Sequence, residues 1–456
     1  MIPPLIHRAF LLTVFLIGIT GLHAETSKKP NLVIFISDDH TATDSTPYGS
    51  TNIATPHMAR IAAAGMTFDR AFAISPTCAP SRAAMLTGLT PVHNGAEPNH
   101  AAPRKDIKKM PAYLQELGYE VVAFGKVGHY NQTKDYGFDL VAHTNYHEDI
   151  AIPEALKWLE NRNSDKPLCL FVGTNWPHVP WPKTPEGHDP KKVEVPANHV
   201  DTPLTHQARA RYYAAITRMD DELGQVYDLS RKKFRDNLFF LHFADQGAQW
   251  PFGKWTLYDD GIRTPMIAVW PGHTTAGTRT NAMVCLTDVL PTLVDVAGGT
   301  PPEKIDGKSI TGVLEGKTAT HRDRIYATHS GDGNFNVYPT RCIRTDRWKY
   351  ILNLHPEFKF TTHITKKGEA GSNYWASWVK AASRREDAAT KVRRYQERPK
   401  EELYDLERDP LEQHNLADDP DQKERLATFH AEMEKWMNDQ GDQRTVFGKP
   451  TLLEKE

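Results

Sequence analysis

Cysteine is scarce in this sequence: 456 residues carry four, Cys78, Cys169, Cys285 and Cys342. Four scattered thiols cannot make the disulfide framework of a small secreted scaffold. Charge of one sign is lacking too, with 55 Lys and Arg against 57 Asp and Glu for a formal net charge of -2. No sequence-wide basic field exists to hold a phosphate backbone, so nucleic acid is not an expected partner and any anion specificity must be local. Internal repeats are lacking. The 39% hydrophobic and 25% charged residues exclude collagenous, disordered and multi-spanning membrane classes. Single cores stop growing at roughly 250 to 300 residues, so a chain of this length reads as one large unit and a smaller one.

One apolar run stands out near the start. His7 and Arg8 precede Ala9 to Leu22, which only Thr and Gly interrupt, and Ala24 precedes the polar Glu25-Thr26-Ser27-Lys28-Lys29. The run is shorter than the roughly 20 apolar residues of a membrane span, and residues 1–24 read as a signal peptide. The expected location is secreted or periplasmic, with no membrane association after signal removal. No Cys follows the run, which disfavours a lipid-anchored form.

Short apolar runs then alternate with amphipathic stretches. Leu32–Ile36, Val121–Phe124, Leu168–Val172, Leu238–Phe243 and Met266–Val269 read as buried strands; Met58–Ala64, Met110–Leu117, Ile152–Leu159 and Ala208–Leu229 read as helices. This pattern predicts an α/β fold: a large, mostly parallel sheet sandwiched by helices, with its ligand site outside the carboxyl ends of the strands. Three cysteines fit as small buried hydrophobes: Cys169 in an apolar run, Cys285 in the helical-looking Met283–Val296, and Cys342 in an alternating segment.

After about residue 325 the segments shorten and alternate (Arg341–Arg344, Trp348–Leu352, Leu403–Leu406), followed by a charged helix near Asp421–Met437. The expected organisation is a catalytic domain over 25–325 and a C-terminal α+β unit over 326–456, a small antiparallel sheet with one helix packed on it. Within it, 359–400 has no clear apolar period and reads as an insertion: either a lid or glycan-contacting loop, or a solvated loop with a few buried aromatics.

The polar residues after the apolar runs carry the chemistry. Asp38 and Asp39 follow the first strand, where they either cap the next turn or present paired carboxylates to a cation. Asp245 and Gln246 end another apolar run, so four oxygen ligands can converge. No His or Cys pair has zinc-like spacing, which favours Ca²⁺ or Mg²⁺, with Ca²⁺ preferred. Between the pairs lies Cys78-Ala79-Pro80-Ser81-Arg82, leading to Leu86-Thr87-Gly88, with the look of a helix entered at a proline and closed by a glycine. A helix N-terminus depresses a thiol pKa and holds anions, so a thiolate nucleophile and a bound oxyanion are both open.

These residues resemble the signature of the type I, formylglycine-dependent sulfatase family, in the alkaline phosphatase-like superfamily. The resemblance runs through Asn31–Asp39, Thr55–Met58, Phe72–Gly88, Gly118-Tyr119, Gly125-Lys126, Pro177-His178, Lys254–Tyr258, Gly261–Pro265 and Glu402–Leu416. It implies that Cys78 is oxidised to formylglycine by a formylglycine-generating enzyme, and that Asp38, Asp39, Asp245 and Gln246 bind one Ca²⁺ together with the modified Cys78. Gln246 departs from the family's usual Asn or His, and its longer amide can still ligate. Arg82 would hold the hydrated aldehyde, and Lys126, His129, His178 and Lys254 would line the sulfate pocket. His129 stands one residue further from Lys126 than in the family's usual Gly-Lys-Trp-His.

The resemblance further implies that a hydroxyl of the aldehyde hydrate, with Asp245 as base, attacks sulfur while His178 and Lys254 protonate the leaving group. His129 would then take the proton that releases sulfate. Leu86–Leu89 with His93-Asn94-Gly95, the spacing of Asp245 to Lys254, and Tyr338-Pro339-x-Arg341 resemble the N-sulfoglucosamine sulfohydrolase branch and bacterial polysaccharide sulfatases. The expected substrate is a sulfated sugar, heparan-type or algal such as ulvan, with Asn99, His100, Arg104 and His329 as candidate sugar contacts. Two rivals stand beside this reading: a phosphoester or phosphonate hydrolase of the same superfamily, and a non-catalytic glycan-binding relative.

Overall fold

The computed structural model describes residues 29–366 and 372–454, together with Met1. The expected signal peptide therefore lies outside the described residues. The chain builds an eight-stranded sheet in the order Thr278–Thr280, Met66–Phe68, Met266–Val269, Leu238–Ala244, Asn31–Ser37, Leu168–Gly173, Glu120–Gly125, Leu140–Ala142. The last five of these run parallel to one another. Met266–Val269 runs antiparallel to both strands beside it.

The central strands are apolar throughout because both faces are covered. Val33 and Phe35 point into one core with Leu170 and Val172, while Leu32, Ile34 and Ile36 point into the other with Cys169 and Phe171. That two-residue alternation is the pleat itself. Helices Pro56–Ala64, Ala151–Asn161 and Pro203–Phe234 supply the first core, and Met110–Glu116 and Val289–Val296 the second. The long helix starts earlier than its apolar pattern because Thr202 caps it, its hydroxyl accepting the Thr205 N–H at 3.2 Å.

A four-stranded antiparallel sheet, Arg324–His329, Thr340–Thr345, Trp348–Asn353 and Glu401–Asp405, carries helix Lys423–Gln440 on one side. Ile343, Tyr350 and Leu403 pack there against Phe429, Met433 and Met437. The other side is buried against the large sheet's unit, where Lys349 pairs with Asp259 at 2.5 Å and Glu412 at 2.8 Å. The polar positions of the alternating pattern are thus buried ion pairs rather than a wet face.

Two expectations need correction. The segment 359–400 is not one irregular loop: it contains helices Ser372–Ala382 and Glu386–Gln396, with Tyr374, Trp378 and Tyr395 fully buried in the first core. Its aromatics sit on long helix Pro203–Phe234, Trp378 donating to Thr205 Oγ1 at 2.8 Å. Helical-looking Met283–Val296 divides into a short strand, Val284–Cys285, and helix Val289–Val296. All four cysteines are free and buried.

Candidate active site

The carboxyl ends of four adjacent parallel strands converge on one side chain. Asn31–Ser37 delivers Asp38 and Asp39, Glu120–Gly125 delivers Lys126 and His129, Leu168–Gly173 leads to His178, and Leu238–Ala244 to Asp245 and Gln246. Asp39 has φ 64°, a left-handed conformation that Asp tolerates better than most side chains. Gly125 and Gly173 meet so closely that a Cβ on Gly173 would lie 2.1 Å from the Lys126 carbonyl oxygen, and this approach brings Lys126 over the site.

Cys78 opens helix Cys78–Thr87 two residues ahead of the proline, and Gly88 (φ 69°) closes it. Thr77, at the N-cap, makes no side-chain cap; Asn99 does so from a later loop, its Oδ1 accepting the Ala79 N–H at 3.1 Å. Around the Cys78 sulfur stand Gln246 Nε2 at 3.1 Å, Lys126 Nζ at 3.4 Å and Asp38 Oδ1 at 3.5 Å. Lys126 also pairs with Asp38, and Lys254 Nζ lies 2.8 Å from Asp39 Oδ1. Arg82, one turn along the helix, donates Nε–H to Asp245 Oδ2 at 2.7 Å and places Nη2 3.4 Å from Asp38 Oδ1.

Electrostatics follow from burial and these pairs. Burial alone would push the Asp38 carboxyl up, but Lys126, His178, Arg82 and Lys254 together hold it well below the usual range. Asp245 goes the other way, burial outweighing Arg82 and lifting it to about 7. Burial pushes the Cys78 thiol up to about 12 against the pull of Lys126 and Lys254. This corrects the expectation of a depressed thiol pKa: desolvation at a sealed helix start exceeds what the helix end and two ammonium groups return. Burial, Lys254 and Lys126 keep His178 neutral, and burial and Lys126 do the same to His129.

Side chains of Asp38, Asp39, Cys78 and His178 bring ligand-type atoms within 4.8 Å of one another. Asp245 stands outside this group, its Oδ1 accepting the backbone N–H of Asp39 at 3.1 Å and of Gln246 at 2.9 Å. Gln246 fits a hard cation: its amide oxygen is buried and, among the described residues, has no hydrogen-bond partner. The amide nitrogen and oxygen exchange places by a half-turn that heavy atoms barely register. That turn would aim the oxygen at the space beside Asp39 and Cys78.

A cavity of about 320 Å³ opens from Cys78, lined by Asn99, His100, His129, His178, Lys254 and Asp332 among others. Asn99 and His100 are thus at the cavity, as expected of sugar contacts. Arg104 is not: it extends toward Asp106 at 3.5 Å. His329 is also displaced from its expected role: it ends strand Arg324–His329 of the C-terminal sheet, buried and absent from the cavity wall. Sequence reasoning missed Asp332, His363, Tyr130, Tyr146 and Gln249, which line the cavity from scattered loops. Tyr130 and His100 have positive φ, 52° and 68°, a backbone strain that clusters at functional sites.

Residues 30–299 match the sulfatase family model. The chain belongs to the sulfatase family. Residues 247–361 also match the model of the N-sulphoglucosamine sulphohydrolase C-terminal region. An ulvan-active sulfatase of Formosa agariphila is 32% identical over 440 residues, 94% of this chain and 84% of that protein. Human N-sulphoglucosamine sulphohydrolase is 26% identical, covering 90% of each chain. Among solved structures, one in complex with its substrate D-glucosamine-2-N,6-O-disulfate superposes with a TM-score of 0.71 at 21% identity, over 91% of this chain and 99% of that one. A phosphonate monoester hydrolase of Agrobacterium radiobacter superposes with a TM-score of 0.70 at 17% identity, over 90% of this chain and 96% of that one. The fold is therefore shared across chemistries, and the side chains at the site decide between them.

Proposed function

We propose that this sulfatase removes sulfate from a sulfated sugar, as an O-sulfate ester or an N-sulfamate, with Cys78 matured to formylglycine and one Ca²⁺ beside it. The observation that carries the reading is Cys78 itself, a buried thiol between two lysines and two aspartates at a cavity. Burial pushes the Cys78 thiol up to about 12, so the unmodified side chain would be a poor nucleophile here. Maturation by a formylglycine-generating enzyme would replace CH₂–SH by CHO, with dioxygen as oxidant and a pair of external thiols supplying the remaining two electrons; one oxygen atom ends in the aldehyde, the other in water, and the sulfur leaves as hydrogen sulfide.

Asp38, Asp39, Gln246 and the modified residue 78 would hold the calcium ion, with Asp245 or His178 as the next nearest donors. The hydrated aldehyde would supply the hydroxyl that attacks sulfur, and the ion would polarise it and the sulfate oxygens. Arg82, locked between Asp245 and Asp38, fixes the start of the catalytic helix and balances the carboxylates. Asp245, lifted to about 7, is suited to take a proton at neutral pH. Lys254 is charged and holds the proton needed by a leaving oxygen or nitrogen. His178 waits as a neutral ring, its Nδ1–H donated to the Val179 carbonyl at 2.5 Å, with Nε2 3.7 Å from Asp39. His129 is the base for sulfate release.

The names of the relatives above support a carbohydrate substrate, ulvan-type or glucosamine-type. Among the described residues no helix is long and apolar enough to cross a membrane, and the reading places the protein outside the cytoplasm, secreted or periplasmic. Sulfate release from sulfated ulvan and glucosamine saccharides, with and without chelator, tests the proposal. Chelator-sensitive release is expected. Cleavage of phosphate or phosphonate esters in preference to all sulfated sugars would overturn it.

A further inference from the structure

Asp332 follows the first strand of the C-terminal sheet and is almost completely buried at 3% exposure. Its Oδ2 faces His363 Nε2 at 2.9 Å and its Oδ1 faces His100 Nε2 at 3.2 Å. The other nitrogen of His100, Nδ1, lies 2.8 Å from His129 Nε2, with the rings nearly perpendicular at 71°. Asn99 Nδ2 also approaches His100 Nε2, at 3.4 Å. The carboxylate is nearer and charged, so it claims the Nε2 proton.

These contacts fix protons in series. A carboxylate oxygen can only accept, so His100 carries a proton on Nε2, and as a neutral ring it presents Nδ1 as a lone pair. That lone pair requires the proton of His129 on Nε2. The remaining nitrogen, His129 Nδ1, is then bare, and it is buried without a hydrogen-bond partner among the described residues. We propose that Asp332 and His100 are positioning residues that set the tautomer of His129, leaving Nδ1 as the lone pair that takes the proton during turnover. When Nδ1 becomes protonated, the charge on His129 is met by the His100 lone pair, whose ring is backed by Asp332.

Three features support the assignment. Burial would raise the Asp332 carboxyl, but its bonds to His100 and His363 hold it well below the usual range, so it is ionised. The His100 backbone is held at φ 68°, which places the ring between a carboxylate and an imidazole rather than in a relaxed loop. His129 lies one residue later than in the family's Gly-Lys-x-His spacing, and a partner that reorients its ring answers that shift. The catalytic meaning rests on the sulfatase reading; the tautomers do not.

The test uses protein labelled with ¹⁵N-histidine, unmodified and metal-free, with His129 and His100 assigned through His129→Gln and His100→Gln variants. Long-range proton–nitrogen spectra are expected to show both rings neutral, with Nε2 protonated and Nδ1 bare. Asp332→Asn should shift the ring nitrogens of both histidines. In matured enzyme it should lower kcat by about 10- to 100-fold with KM changing less, the size usual on removing the outer partner of a functional histidine. Should Asp332→Asn not fold, His100→Phe must still shift the His129 ring signals. A wild-type His129 protonated on Nδ1, or variants that leave its signals in place, would overturn the proposal. Intact tautomers without sulfate release from any saccharide would instead count against the proposed function alone.

Discussion

Gln246 Nε2 lies 2.6 Å from Asp39 Oδ1, so an amide donor occupies the space between two groups that a bound cation would also claim. Its own oxygen is buried and, among the described residues, without a partner, a deficit that a ligand would make good after a half-turn of the amide. Gln246→Met keeps length and removes the oxygen. It is expected to weaken calcium binding by about tenfold or more in titration calorimetry. Unchanged affinity would remove Gln246 from the ligand set.

Calcium that binds the folded chain alone must also stabilise it. At a free concentration of about 100 times its dissociation constant the gain is about 2.7 kcal/mol, and a scanning melt with and without chelator reads it. No change in melting temperature on chelation would argue against a resident ion.

Arg82 is fully buried between Asp245 and Asp38. Arg82→Ala would strand two buried carboxylates, a loss of about 3–5 kcal/mol in urea unfolding. A change below about 1 kcal/mol, typical of exposed ion pairs, would show that the pair is not load-sharing with the fold.

The contact between the two sheets is expected to depend on pH. Burial would raise the Asp259 carboxyl, but Arg344 and Lys349 hold it well below its ordinary value of 3.8. A depressed folded pKa adds stability that is present above the unfolded value and lost as pH falls through the folded one. The stability gap between wild type and Asp259→Asn should therefore be full at pH 7 and shrink once pH drops below 3.8. A gap constant with pH would contradict the ion-pair account.

Much of this was legible in the sequence. The long apolar runs became the central strands because strands covered on both faces need no polar alternation, and Asp38, Asp39, Asp245 and Gln246 followed them to the carboxyl edge. Cys78 and Arg82 were readable from a local motif. The short strands Met66–Phe68 and Leu140–Ala142 were not, because three residues carry no period. Nor were the helices at Ser372–Ala382 and Glu386–Gln396, whose Lys- and Arg-rich pattern hides a buried aromatic stripe. Trp378→Ala should accordingly cost about 3–5 kcal/mol in denaturant unfolding, where a mobile lid residue would cost almost nothing. Asp332 and His363 had no signal at all, since loops distant in sequence bring them to His100.

The mass of the peptide containing Cys78, from protein isolated from its native host, tests the central claim most directly. A loss of about 18 Da, as thiol-to-aldehyde conversion requires, is the result this account predicts. An unmodified thiol in protein that releases sulfate at full rate would contradict it.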